Sequence, residues 1–385
     1  MWLAELTLRF ALMFISSEIS TLVMKAATEA GFELAGMAPV TDRKELEYFP
    51  RWIAEGRGGE MKYLEARDDQ GRLKRASLAH AAPWARSVVV CAINYNATQP
   101  YSTQVSNKSR GWISRYAWSR EDYHKSVMRR LRQVEAALRD AYTAGASSSS
   151  AANPQPGDDR DNLITRCYVD TGPIVERIVA KYAGIGWIGK NTCLINQKLG
   201  SWLFLGVILT SLDLALEVAS LPAADRCGSC TRCIDACPTD ALIAPYQLDS
   251  NKCISYLTIE KRGAISDDDD LRSGMGRHVF GCDICQDVCP WNRKFPATNA
   301  AEFQPRPELV NPALEWLAEM SEEEFRVTFC GSPVRRAKRA GLRRNAAIAM
   351  GNSGDKKFLP TLEKLAGDED EVVRQSAAWA MQKLV

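Results

Sequence analysis

Hydrophobic positions along the chain fall into blocks of different period. Ile19, Leu22, Val23 and Ala26 recur at helical spacing and Gly31 follows, which predicts a helix entering a glycine turn within residues 18–37. Ser87 to Ile93 is a short continuous apolar run, the mark of a buried strand. Val127 to Ala141 returns to helical spacing through Leu131, Val134 and Leu138. Residues 145–161 then lose all periodicity among Ser147 to Ser150, Asn153, Pro154, Pro156 and Gly157, and predict a flexible surface insertion. Ile174 to Tyr182 predicts a helix and Trp202 to Leu209 a strand. Residues 18–220 are therefore expected to form one α/β domain within an α+β multidomain chain.

The far end carries a repeat. Leu342-Arg343-Arg344-Asn345-Ala346-Ala347-Ile348-Ala349-Met350 is echoed by Val373-Arg374-Gln375-Ser376-Ala377-Ala378-Trp379-Ala380-Met381, offset by 373 − 342 = 31 residues. Small alanines at helical spacing permit close helix packing, so residues 301–385 are expected to form a short HEAT-like α-solenoid. Two copies are few for independence, and this end should lean on the rest. A basic strip runs through the first copy: Arg335, Arg336, Lys338, Arg339, Arg343 and Arg344, with no acid from Gly331 to Asn345. Six cations in ten residues point to a phosphate backbone more than to a merely solvated face.

Charge matters only locally, because 49 Lys and Arg against 47 Asp and Glu leave the chain at +2. A 46% hydrophobic and 25% charged composition excludes pervasive disorder. Residues 1–17 read as an N-terminal extension: an extra amphipathic helix or an over-early start. Glu5 and Arg9 interrupt its apolar run, so no export signal or membrane span is expected and the location is read as cytoplasmic.

Twelve cysteines change the picture, for eight lie between Cys227 and Cys289. Clustering of this kind in a long chain points to metal rather than a disulfide framework. Cys227-x2-Cys230-x2-Cys233-x3-Cys237-Pro238 has the spacing of bacterial two-cluster ferredoxins, whose fourth cysteine serves the other cluster. Its reciprocal is Cys282-x2-Cys285-x3-Cys289-Pro290, with Val279 where a first cysteine belongs and Cys253 as the substitute. One [4Fe-4S] cluster would then take Cys227, Cys230, Cys233 and Cys289, and the other Cys237, Cys253, Cys282 and Cys285. Structural zinc is the competing use of Cys-x2-Cys pairs, but it does not require the interleaved spacing. Residues 221–300 are thus expected to form a ferredoxin-like two-[4Fe-4S] domain, with a solvated acidic loop at Asp267 to Asp270. The scattered Cys91, Cys167, Cys193 and Cys330 are read as small buried hydrophobes.

Two further patterns need context. Gly184-x-Gly186-x-x-Gly189 matches a dinucleotide fingerprint, yet a helical run precedes it and Lys190 to Ile195 looks extended after it. A glycine turn that lets backbone approach another large ligand is the better reading. Asp170 ends a strand-like segment before a turn and a helix. It could cap or shape that turn, or donate a proton at a pocket mouth.

Together these residues resemble the epoxyqueuosine reductase family of tRNA-modifying enzymes, from about residue 18 to the C-terminus. The resemblance is carried by Gly59-Glu60-Met61-x-Tyr63-Leu64, Ile113-Ser114-Arg115-Tyr116-Ala117, Asp122-Tyr123-His124-Lys125 and Val169-Asp170-Thr171-Gly172-Pro173. Gly186-Trp187-Ile188-Gly189-Lys190-Asn191-Thr192, Cys253-Ile254-Ser255-Tyr256 and the cysteine code complete it. It implies cobalamin, resting as cob(II)alamin, in the 18–220 domain. It also implies two-electron removal of the epoxide oxygen from the modified wobble guanine of tRNA, the last step of queuosine synthesis. By the same resemblance Asp170 is the proton donor. Arg75, Tyr116, Asp170, Asn191, Thr192, Cys193, Ser255 and Asp283 border the corrin, and Lys261 and Arg262 join the basic strip against the anticodon stem-loop. The partners are tRNA carrying epoxyqueuosine and an unidentified one-electron donor, with the chain expected to act as a monomer. The rivals are a reductive dehalogenase-like enzyme, which would carry an export signal and need no basic tail, and a non-catalytic electron carrier, which would leave the first 200 residues without a task.

Overall fold

The computed structural model describes residues 18–98, 100–148, 163–214, 221–265, 269–293 and 295–385. The expected N-terminal extension lies outside the described residues, as do residues 149–161 of the expected insertion.

A four-stranded sheet in the order β1-β2-β7-β4 forms the first layer, from β1 (Leu34–Pro39), β2 (Ser87–Asn94), β4 (Thr165–Tyr168) and β7 (Leu203–Thr210). Every neighbour in it is antiparallel, which corrects the expected α/β domain: the fold is α+β throughout. The continuous apolar run of β2 exists because both faces are covered. Val89, Cys91 and Ile93 face the core beneath the long helix Tyr123–Ser148, with Val127, Leu131, Val134 and Leu138. Val88, Val90 and Ala92 face the opposite core with Ile174, Val179 and Ala180 around the helix Glu176–Tyr182. On β7, a Cβ at Gly206 would stand 3.2 Å from Leu131 Cδ1, so glycine lets the long helix close onto the sheet.

Three local expectations are revised. The first helix covers 18–29 and buries Ile19, Val23 and Ala27, with Ala30 buried in the turn that follows, while Leu22 is exposed; the following Leu34–Pro39 is a strand, not more helix. The Tyr123–Ser148 helix runs past Gly145, where a loop was expected to begin. Asp269 and Asp270 open a short helix, Asp269–Gly274, where their charge suits the N-terminal dipole; Asp267 and Asp268 lie outside the described residues.

The cysteine-rich part is stitched into this frame. β3 (Trp112–Ile113) pairs in parallel with β8 (His278–Phe280), and Asn94 and Asn96 bond the backbone at Pro296 and Thr298. At the C-terminal end, the two repeat copies lie on the helices Lys338–Ser353 and Glu371–Leu384, separated by Leu359–Ala366. Ala346, Ala347, Ala349, Ala377 and Ala380 are fully buried, and a Cβ at Gly351 would sit 2.8 Å from Ala380 Cα. This end does lean on the rest: one core joins Leu342 to Ile348 with Leu257, Val279, Phe280 and Ile113. Asn345 Nδ2 fastens it to the carbonyls of Thr258 and Val279 at 2.9 and 2.8 Å.

Candidate active site and cluster sites

Asp170 lies two residues beyond β4, in the left-handed region at φ 57°, which non-glycine residues adopt only where surroundings enforce it. It caps nothing, since the next helix has Val175 as its N-cap. Its carboxylate is 61% exposed, accepts from Tyr123 Oη at 2.9 Å and stands 3.8 Å from His124 Nε2. The Tyr123 ring is locked between Phe204 (4.3 Å, 2°) and His124 (4.0 Å, 28°), and Asp122 holds His124 Nδ1 at 2.7 Å. Burial, then the Asp170 charge, pushes the Tyr123 phenol well above its ordinary range, so it stays a donor to that carboxylate.

The loop after Asp170 is pinned from beneath. Arg75 bonds the carbonyls of Gly172 and Tyr63, each at 2.8 Å. Tyr63, 47% exposed, has the Arg75 guanidinium 5.7 Å and the Arg336 guanidinium 5.4 Å from its ring centroid. Arg336 therefore brings the HEAT-like end to the mouth that holds Asp170. Tyr116 lines the inner wall, edge-on to Tyr123 at 5.9 Å. Glu176 was not singled out by the sequence, yet its Oε1 is buried with no hydrogen-bond partner. Burial, reinforced by the Asp170 charge, pushes its carboxyl up to about 7. Tyr63, Tyr123 and His124 were likewise missed as site residues, although the segments carrying the resemblance contain all three.

Cys227, Cys230 and Cys233 are joined by the distant Cys289 in lining one cavity with Lys190, Asn191 and Trp291. Cys237, Cys253, Cys282 and Cys285 form a second neighbourhood, in which Cys282 feels Cys253 and Cys237, and Cys285 feels Cys282 and Cys253. Backbone N–H groups point at these sulfurs: Ser255 and Tyr256 at Cys253, Ile284 at Cys282, Trp291 at Cys289. Cavity, thiols and N–H donors together fit a pair of thiolate-ligated clusters. Among the described residues, no three His, Cys, Asp or Glu side chains converge tightly enough to grip a single ion.

Several expected site residues are placed otherwise. Asp283 is 1% exposed, accepts from Trp112 Nε1 and the Arg115 amide at 2.9 and 2.8 Å, and also from Ser114 Oγ. It is an internal strut and presents no surface to a corrin. Arg344, 1% exposed, donates to the carbonyls of Leu257, Lys261 and Gly263, and Arg343 is buried against Asp368 at 2.6 Å and the Ala318 carbonyl. Neither can meet a phosphate. Arg339 is half-buried on the Met320 carbonyl, whereas Arg335, Arg336, Lys338 and Arg262 are exposed and Lys261 pairs with Glu60 at 2.5 Å. Ser255 lies in the first turn of the helix Ile254–Ile259 that Cys253 caps.

The glycine motif is a hairpin, β5 (Trp187–Ile188) with β6 (Leu194–Ile195). A Cβ at Gly186 would lie 2.2 Å from the Ile195 carbonyl, so that glycine serves the hairpin's own backbone rather than a ligand. In its turn Asn191 Nδ2 bonds the Cys285 carbonyl at 3.2 Å, Thr192 has φ 64° and bonds Arg177, and Cys193 lies beside Cys285. Of the scattered cysteines, only Cys91 is fully buried; Cys167 and Cys193 are half-buried and Cys330 is exposed, against expectation.

Comparison with known proteins bears on these sites. Residues 75–171 match the epoxyqueuosine reductase QueG family, 226–292 a 4Fe-4S double cluster binding domain and 334–384 HEAT repeats. The chain is 38% identical over 359 residues to the epoxyqueuosine reductase of Pseudomonas aeruginosa, covering 92% of this chain and 91% of that protein. It is 34% identical over 372 residues to that of Escherichia coli, covering 96% and 90%. A crystal structure of epoxyqueuosine reductase with an epoxyqueuosine-modified tRNA-Tyr stem loop superimposes with TM-score 0.80 at 30% identity, over 96% of this chain and 91% of that one. The Bacillus subtilis epoxyqueuosine reductase, captured with an aspartate catalytic loop swung out of its active site, gives 0.79 at 29% identity, with the same coverage. The chain belongs to the epoxyqueuosine reductase family.

Proposed function

We propose that this chain reduces the epoxide of epoxyqueuosine at the tRNA wobble position, giving queuosine, with cobalamin and two [4Fe-4S] clusters as its cofactors. The observation that carries the reading is the shared mouth: Arg336 of the HEAT-like end stands over the Tyr63 ring, and the exposed Asp170 carboxylate is near enough for its charge to act on both. An acid and a cation from a phosphate-binding end thus meet where a flipped-out nucleotide would enter.

Cys227, Cys230, Cys233 and Cys289 would hold one cluster and Cys237, Cys253, Cys282 and Cys285 the other, supplying one-electron transfer. The surroundings of Asp170 also fit a large amide-rich cofactor. Glu176 Oε1 is a buried acceptor awaiting a donor, Arg75 and Tyr116 lie within reach of the Asp170 charge, and Arg177, next to Glu176, donates to the Thr192 carbonyl; Ser255 and the Asn191–Cys193 turn would complete the contacts. Bound there, cobalamin would supply a strongly reducing cobalt centre. The chain's own contribution is proton delivery and positioning. Removing the oxygen as water takes two electrons and two protons; Asp170 gives one proton to the epoxide oxygen and solvent water supplies the other. Tyr123 orients that carboxylate through Oδ2. Arg75 fixes its loop through Gly172. Exposed Arg262, Arg335, Arg336 and Lys338 would take phosphates of the stem loop, joined by Lys261 where it leaves its pair with Glu60, in the cytoplasm where tRNA is modified. Electrons come from a one-electron donor, and a monomer contains every group named.

The test is anaerobic reconstitution with iron, sulfide and cobalamin, addition of reductant and epoxyqueuosine-containing tRNA, and mass spectrometry of the digested nucleosides. Loss of one oxygen only when cobalamin is present supports the reading. An unchanged epoxide in a sample with both clusters and bound corrin contradicts it.

A further inference from the structure

The glycine-rich hairpin of residues 184–195 is the sequence motif to which the proposed reaction gives least to do. Its glycines serve its own packing, but its side chains and amides face the cysteines. Trp187 is 2% exposed and packs in one apolar cluster with Ile195 and Cys289, against Cys227 and Trp291. Its ring meets Trp291 edge-on, with centroids 5.0 Å apart. The indole N–H is buried and completes no hydrogen bond, a rare condition that calls for a reason. The group it approaches is Cys227 Sγ, which the Lys190 amide also approaches. Lys190 Nζ bonds the Gly228 carbonyl at 2.7 Å, clamping the hairpin onto the Cys227 loop. Cys227 shares its cavity with Cys230, Cys233 and Cys289.

We propose that the Trp187 indole and the Lys190 amide donate hydrogen bonds to the Cys227 thiolate of the cluster held by Cys227, Cys230, Cys233 and Cys289, and that the hairpin thereby raises that cluster's reduction potential. The inference rests on those cysteines being cluster ligands. Each electron added increases negative charge on the cluster and its thiolates. N–H donors fixed at a thiolate therefore stabilise the reduced form more than the oxidised one. The hairpin suits this task because its backbone is held rigid by the Gly186 contact with Ile195, and an indole N–H cannot rotate away from a packed ring. Trp187 is a positioning residue in this account: it acts on the cluster through Cys227.

The test is Trp187→Phe in the full reconstituted chain, with iron and sulfide counted first, so that failure of the cluster reading shows as missing iron. Redox titration followed by electron paramagnetic resonance then reads both clusters. The expected result is a lower potential for one cluster only, its reduced-to-oxidised ratio at a fixed potential falling about tenfold, the scale of one hydrogen bond to a charged acceptor. Two unmoved potentials at full iron content overturn the inference. Should the variant lose a cluster, the native chain decides: with 15N-indole tryptophan, the reduced cluster should show an indole nitrogen coupling that survives Trp291→Phe. Absence of that coupling overturns the inference as well.

Discussion

Arg336 and Arg344 lie eight positions apart in one basic strip and do different work. Arg336 is exposed beside Tyr63, whereas Arg344 is buried on three carbonyls, and burial lowers its pKa to about 10. Arg344→Ala would leave those carbonyls unpaired, and should cost on the order of 3 kcal/mol in denaturant unfolding. It should leave the salt dependence of tRNA binding unchanged; a flatter salt dependence would return Arg344 to the surface. Glu176 offers a pH test with a definite sign. Its folded pKa, about 7, is raised above the ordinary 4.5. Between those values the native chain keeps a proton that the unfolded chain has released, so stability falls as pH rises through that window. Glu176→Gln removes the effect: its unfolding temperature should gain on the parent from pH 5 to pH 8. Parallel curves would show that Glu176 is not buried as described. Sequence could name the cluster cysteines because type and spacing encode their chemistry, whereas it singled out Asp170 as a proton donor only through the family resemblance. It could not separate Arg344 from Arg336, because charge alone does not say which side of a helix meets another core.

At the level of elements, the apolar runs of β2 and β7 and the periodicity of the Tyr123–Ser148 helix were legible, because burial on both faces or on one stripe writes itself into hydrophobicity. β1 was not: Leu-Ala-Gly-Met-Ala-Pro has neither alternation nor β-branched residues, and its pairing with β2 decides its state. Strand direction was also hidden, since a doubly covered antiparallel strand reads like a parallel one. The extended run after the glycine motif was legible and is the second strand of a hairpin, but the hairpin's self-contact emerges only in three dimensions. Gly186→Ala should force the Ile195 carbonyl away, loosen the hairpin from Cys227 and Cys285, and lower bound iron after reconstitution. Full iron content at parental stability would contradict the tightness of that contact.

For the whole molecule, the three parts expected from the sequence were legible in order but not in how they join. The parallel β3–β8 pair and the Asn345 bonds fuse the cluster-bearing part and the HEAT-like end to the sheet domain, so the basic end keeps a fixed place beside Asp170. Binding of the stem loop should accordingly weaken with salt. Replacing Arg335, Arg336 or Lys338 by Ala should each reduce the slope of log K against log salt by about 1 where a phosphate contact is lost. Unchanged slopes in all three would move the RNA surface elsewhere. The central claim is that Asp170, at the mouth where these parts meet, protonates the epoxide oxygen. The most direct measurement compares parent and Asp170→Asn, both with full cluster and cobalamin content and equal tRNA affinity, in single-turnover conversion of epoxyqueuosine-containing tRNA followed by nucleoside mass spectrometry. The account predicts that the parent yields queuosine and that the variant's rate falls by about 100-fold or more, the scale of a lost general acid. Conversion by Asp170→Asn at the parental rate would contradict it.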